Sequence, residues 1–223
     1  PDRLATLLSG VATVDNVNVA VPGARSFEWL PGSDYFNNRL APNIADADLL
    51  VISLGGNDIV SFAYDYILGG GAFGGGDPLD AAKAEVSSIA ANLIATLDAA
   101  EAINPDFDAV YVLYPNYGQA TQTMPWNLVN GILGDDAMVE LLDHARQTIP
   151  FDRDLILADL FAAFSETKLD NYLVDWLHFE DNGATIAAEA IFHALGGVHV
   201  GPSPFGSLGQ TPIGLEHHYA ITP

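Results

Sequence analysis

Cysteine is absent from the 223 residues, which excludes disulfides, a thiolate nucleophile and any Cys-based metal site. Basic residues are scarce: 7 Lys and Arg stand against 29 Asp and Glu, a formal net charge of -22. That charge repels phosphate backbones and anionic lipid surfaces at long range, so nucleic acid is not an expected partner. No apolar run approaches the roughly 18 to 20 residues that a membrane-spanning helix needs. No H-E-x-x-H or similar spacing gathers the ligands of a zinc site, and neither a metal nor a cofactor is expected. The opening "PDRLATLLSG" has no initiator Met, basic n-region or apolar h-region, so the chain is expected to come from the interior of something longer.

What is present is globular in character, with 49% hydrophobic residues and 21 Gly. The length suits one sizeable core. A carboxylate excess of this size keeps a protein soluble in salt, where screening removes the self-repulsion that opposes compaction. Secretion by a bacterium in saline surroundings is the expected location, although an intracellular haloarchaeal protein would have the same composition.

Hydrophobic patterning divides the chain into alternating elements. "VDNVNVAVPG" (14–23) alternates polar and β-branched residues and stops at Pro-Gly, as a strand followed by a loop does. "DLLVISLGGND" (48–58) predicts a strand buried on both faces, and "DAVYVLYPNYG" (108–118) and "DLILADL" (154–160) repeat the theme. Helices are predicted over 78–103, which opens with Pro, over 135–149, and over 182–197, which Gly-Gly stops. Strand alternating with helix implies a parallel sheet covered by helices. The glycine-rich stretch 68–78 reads as a surface loop, with a faint echo of calcium-binding Gly-Asp repeats. The Pro- and Gly-punctuated residues 198–223 read as an irregular tail or linker after a domain spanning 1–197.

In an open parallel sheet, ligands gather beyond the carboxyl ends of the strands. Three groups fall there. Asp175 and His178 lie three residues apart before the last helix; a histidine acting as base needs a carboxylate on its other ring nitrogen to fix the tautomer. The plain alternative is a carboxylate that satisfies loop amides beside an ordinary polar histidine. Asn57, in "GGND", can aim an amide N–H at a developing oxyanion, or Asn-Asp can simply cap the following segment. Gly23, in "VPGARS", can give its backbone N–H to the same oxyanion, or merely make a turn.

The order of the three, strand then Gly, strand then G-x-N-D, and finally D-x-x-H before the last helix, resembles the SGNH or GDSL hydrolase family of serine esterases and lipases. The resemblance spans residues 1 to about 196, and "VDWLHFEDNGATIAAEAI" is its most specific part. It implies a flavodoxin-like three-layer α/β/α sandwich with a central parallel sheet. It also implies acyl ester substrates, His178 as general base, Asp175 as its orienting acid, and Gly23 and Asn57 as two of three oxyanion donors.

The family's nucleophile lies in a Gly-Asp-Ser motif after its first strand, and no such run occurs in the 223 residues, nor does a G-x-S-x-G elbow. "PDRLATLL" resembles the helix that follows that motif. The expectation is therefore a domain lacking its first strand, with the serine upstream of this chain and possessed by a separate peptide if cleavage has occurred. A second explanation moves the nucleophile to Ser207 in "FGSLG", but the prolines of "GPSP" do not suit a central strand. A third is a non-catalytic relative that binds acylated or glycan ligands. Ser26 and Ser33, in the loop after Gly23, and Ser53, in a strand read as buried, are poor substitutes. His144, beside Asp143, reads as solvated, His193 suits the last helix's C-terminal dipole, and His217 and His218 fall in the tail.

Overall fold

A computed structural model gives the fold, describing residues 1–68, 76–119, 133–134, 136–149, 155–165, 169–175 and 177–197. Ser207, His217, His218, the 198–223 tail and most of the glycine-rich stretch after residue 68 lie outside the described residues. Three parallel strands form the sheet: β1 (Leu49–Ile52), β2 (Asp108–Leu113) and β3 (Leu155–Asp159), in that spatial order. Leu49 pairs with Asp108 and Ala109 with Leu155 at the start of each ladder. Helices flank the sheet: α1 (Asp2–Leu8), α2 (Ala41–Ile44), α3 (Gly56–Leu68), α4 (Pro78–Glu101), α5 (Ala137–Thr148), α6 (Leu160–Ala163) and α7 (Asp181–Ala194).

Local chemistry explains the long helices. Pro78 opens α4, and the Asp77 carboxylate accepts the Leu79 N–H at 2.9 Å, satisfying one of the orphan donors of the first turn. Ala82, Val86, Ile89, Leu93, Leu97 and Ala100 recur at three- and four-residue steps and are buried. Truncating Leu93, fully enclosed, to Ala should cost about 2–5 kcal/mol. Helix α7 ends where the N–H groups of Gly196 and Gly197 return to the carbonyls of His193 and Phe192. At its start, Arg3 of α1 donates to Thr185 at 2.9 Å and pairs with Asp181 at 3.0 Å.

Two expectations are corrected. Residues 14–21 form no strand; Val17 is exposed, and side-chain bonds hold the stretch, Ala20 N–H donating to the Asn18 side chain and the Asn16 amide to Asp2. β-branched alternation makes a strand only where it forms a ladder, and among the described residues 14–21 form none, although β1 pairs with β2 alone and keeps its other edge open. Val19 and Val21 instead pack on a satellite core around Trp29, Phe36 and Ile44. With that edge of β1 open, the strand is not buried on both faces: Val51 is exposed and only Ile52 is buried. The central strand does meet that description, with Val110, Tyr111, Val112 and Leu113 all buried.

Candidate active site

Asp175 and His178 sit in a loop between a short 3-10 turn (Leu169–Tyr172) and α7. An isolated antiparallel bridge, Leu173 to Phe179, pins the loop's ends, and the Val174 N–H donates to the His178 carbonyl at 2.8 Å. One carboxylate oxygen of Asp175 accepts the backbone N–H groups of Leu177 and His178 at 2.8 and 2.7 Å. The other meets His178 Nδ1 at 2.8 Å. The carboxylate thus satisfies the loop amides with one oxygen and meets the ring with the other. The backbone N–H of His178, its imidazole and the Leu177 N–H together hold the Asp175 carboxyl down to about 2. An ionised carboxylate has no proton to give, so Nδ1 carries the hydrogen and a neutral ring keeps a bare lone pair on Nε2. The His178 side chain is 72% exposed, and Nε2 has no hydrogen-bond partner among the described residues.

Gly23 lies at the third position of the turn Val21-Pro22-Gly23-Ala24, closed by the Ala24 N–H on the Val21 carbonyl at 3.2 Å. Pro22 presets the second position, and the third requires positive φ, here +79°. Asn57, in the first turn of α3, donates one amide N–H to the Ala24 carbonyl at 3.0 Å; its other N–H has no partner among the described residues. The contact brings the two expected oxyanion donors onto neighbouring backbone.

Asp58 secures that juxtaposition and does not act as a cap. Its buried carboxylate accepts the Ser26 N–H at 2.9 Å and the Ser26 hydroxyl at 2.7 Å. Asn92 of α4 donates to the same hydroxyl at 2.9 Å. The sequence offers Asp58 only as part of a possible cap and Ser26 only as a loop serine, because a partner 32 positions away leaves no local periodicity. Ser26 is wholly enclosed, and its proton is committed to a carboxylate, which excludes it as an exposed nucleophile.

The loops after β1 and β2 and the Asp175 loop meet over one cavity of about 70 Å³, lined among others by Gly55, Gly56, Tyr117 and Leu177. Gly56 precedes Asn57 and Leu177 precedes His178. The Tyr117 hydroxyl donates to the Leu177 carbonyl at 3.0 Å, tying the histidine loop to the segment beyond β2. Burial pushes the Tyr117 phenol up, so it stays a neutral donor. Sequence inspection missed this tyrosine, which carries no motif.

Ser53 and His144 resolve differently from expectation, whereas His193 falls in the last turn of α7 as expected. Ser53 lies just past β1 and is exposed, not within a buried strand. His144 is half-buried and not freely solvated: its Nε2 meets Ser87 Oγ at 2.9 Å. That contact is not an activated serine. The Ser87 hydroxyl proton goes to the Lys83 carbonyl at 3.0 Å, so the imidazole must be the donor. His193 gives its Nδ1–H to the Gly197 carbonyl at 3.0 Å. Among the described residues no group of three or more His, Asp or Glu side chains is placed to hold a metal ion, and no helix is long and apolar enough to cross a membrane.

A parallel sheet flanked by helices, with these loops gathered at its carboxyl edge, is the arrangement of an α/β acyl hydrolase. Residues 1–186 match the GDSL-like Lipase/Acylhydrolase family, and the chain belongs to it. No curated protein matches the chain. Membership implies ester substrates.

Proposed function

We propose that the chain carries the base, the orienting acid and two oxyanion donors of a serine ester hydrolase with a three-layer α/β/α fold. The observation that carries this reading is the Asp175–His178 pair, whose Nδ1 contact leaves an exposed Nε2 ready to accept a proton. In the reaction, a serine Oγ attacks the acyl carbonyl carbon while Nε2 of His178 takes its proton. The carbonyl electrons move to oxygen, held by the Gly23 N–H and the Asn57 amide. Collapse expels the alcohol, which leaves with the proton from His178, and water repeats the cycle on the acyl-enzyme.

The serine is supplied from outside the 223 residues by a strand that pairs on the open edge of β1. Support for that placement is the one-sided pairing of β1 and the absence of any Gly-Asp-Ser run. The test compares this chain with the product of its complete reading frame, using p-nitrophenyl acetate and a fluorophosphonate probe. The chain alone should be nearly inert and unlabelled, and the complete product active and labelled on a serine beyond these residues. Asn57→Ala in that product should lower turnover about a hundred- to a thousand-fold. Labelling of Ser207, or full activity in Asn57→Ala or His178→Ala, would refute the assignment. A complete product that binds acyl esters without turnover would make it a binding relative instead.

A further inference from the structure

The cavity beneath the site has a chemistry of its own. Its walls come from α4 (Val86, Ile89), α5 (Met138, Leu142) and the inner face of β2, and they are almost entirely apolar. Three tyrosines reach it, and two of the phenols make hydrogen bonds to carbonyls, Tyr111 to that of Leu54 at 3.0 Å and Tyr117 to that of Leu177. A buried water needs two to four polar partners, and these walls offer few, so the cavity favours hydrocarbon. Its lining includes Gly56 and Leu177, the residues immediately before Asn57 and His178. An ester bound at Asn57 and His178 would therefore lie beside this apolar space.

We infer that this cavity is the acyl pocket, and that it selects short acyl chains of about three or four carbons. The inference rests on the hydrolase reading of the same site. Its size sets the limit: about 70 Å³ is near half of the roughly 150 Å³ apolar void that accepts a benzene ring, enough for about two or three carbons beyond the carbonyl. Met138, Leu142 and Ala145 of α5 are the side chains whose volume sets that size.

The test reads binding and needs no nucleophile. The chain has two methionines, so methyl-¹³C labelling gives two signals, of which Met138 is identified by its loss in Met138→Leu. Methyl acetate, propionate, butyrate and octanoate are titrated into the 223-residue protein. The Met138 signal should shift saturably, with affinity rising about fourfold per added methylene up to butyrate and no further for octanoate. Ala145→Leu should abolish the shift while leaving the far-UV spectrum intact. Leu142→Ala should instead tighten methyl hexanoate about tenfold. No Met138 response to any ester, an affinity that climbs unabated to octanoate, or indifference to Leu142→Ala would overturn the pocket. If Met138 responds as expected while the complete product hydrolyses no ester, the hydrolase reading fails and the pocket stands. If the product hydrolyses esters with no preference for short chains and Met138 is silent, the pocket alone fails.

Discussion

Alanine placed at Gly55 and at Gly23 should behave very differently, although both glycines have positive φ. At Gly55, φ is +110° and an added Cβ would lie 2.8 Å from Cγ2 of Ile89, a distance that real Cβ contacts do not show. The backbone term is about 1–2 kcal/mol for an L-residue on the left-handed side, and crowding against a packed core adds about 1–3 kcal/mol. At Gly23, φ is +79° and nothing lies within 4 Å of the added Cβ, so only the backbone term remains. Urea unfolding followed by tryptophan fluorescence should therefore show Gly55→Ala losing about 2–5 kcal/mol and Gly23→Ala about 1–2 kcal/mol. Ile89 lines the acyl cavity, so its escape route is into that space, and Gly55→Ala should also weaken methyl butyrate binding. Combining Gly55→Ala with Ile89→Ala, which removes Cγ2, should cost less than the sum of the single losses by about 1 kcal/mol or more. Equal losses at the two glycines, or strict additivity with Ile89→Ala, would refute the crowding argument.

Asp58→Ala removes the acceptor for the buried Ser26 amide and hydroxyl, and at about 1–3 kcal/mol per orphaned group it should cost about 2–6 kcal/mol in urea unfolding. Asp58→Asn, which keeps one acceptor oxygen, should lose less, and a loss below about 1 kcal/mol in Asp58→Ala would contradict the tie to Ser26. The Asp175 carboxyl is held at about 2, below its ordinary 3.8, so its contribution to stability is complete above the ordinary value and disappears as pH falls through about 2. The difference in unfolding midpoint between the wild type and Asp175→Asn should accordingly be constant on the neutral side and shrink across that acid window. A difference independent of pH would mean that the loop bonds do not favour the ionised form.

Much of the fold was legible because it follows local rules. The Asp77-Pro78 start and three-to-four spacing of α4 and the Gly-Gly stop of α7 act within a few residues, and they appear close to where the sequence places them. The Asp175–His178 pair was legible for the same reason, since a three-residue separation in a closed loop lets one carboxylate reach both the loop amides and the ring. Helix α3 was not anticipated, because "GGND" ends one element and begins the next with no loop between them.

By itself the amino-acid order determined the alternation of strand and helix, the acid, base and amide on offer, and the lack of a Gly-Asp-Ser nucleophile, all properties of composition and short-range spacing. Only the tertiary structure decided that residues 14–21 stay out of the sheet and pack through Val19 and Val21 on the core around Trp29, since a strand exists only where its backbone pairs with another. It alone committed Ser26 to Asp58, hung the histidine loop on Tyr117 and left an apolar space under the site. Each of these depends on groups distant in sequence arriving at one place, where burial removes water as the competing partner and makes a single contact decisive.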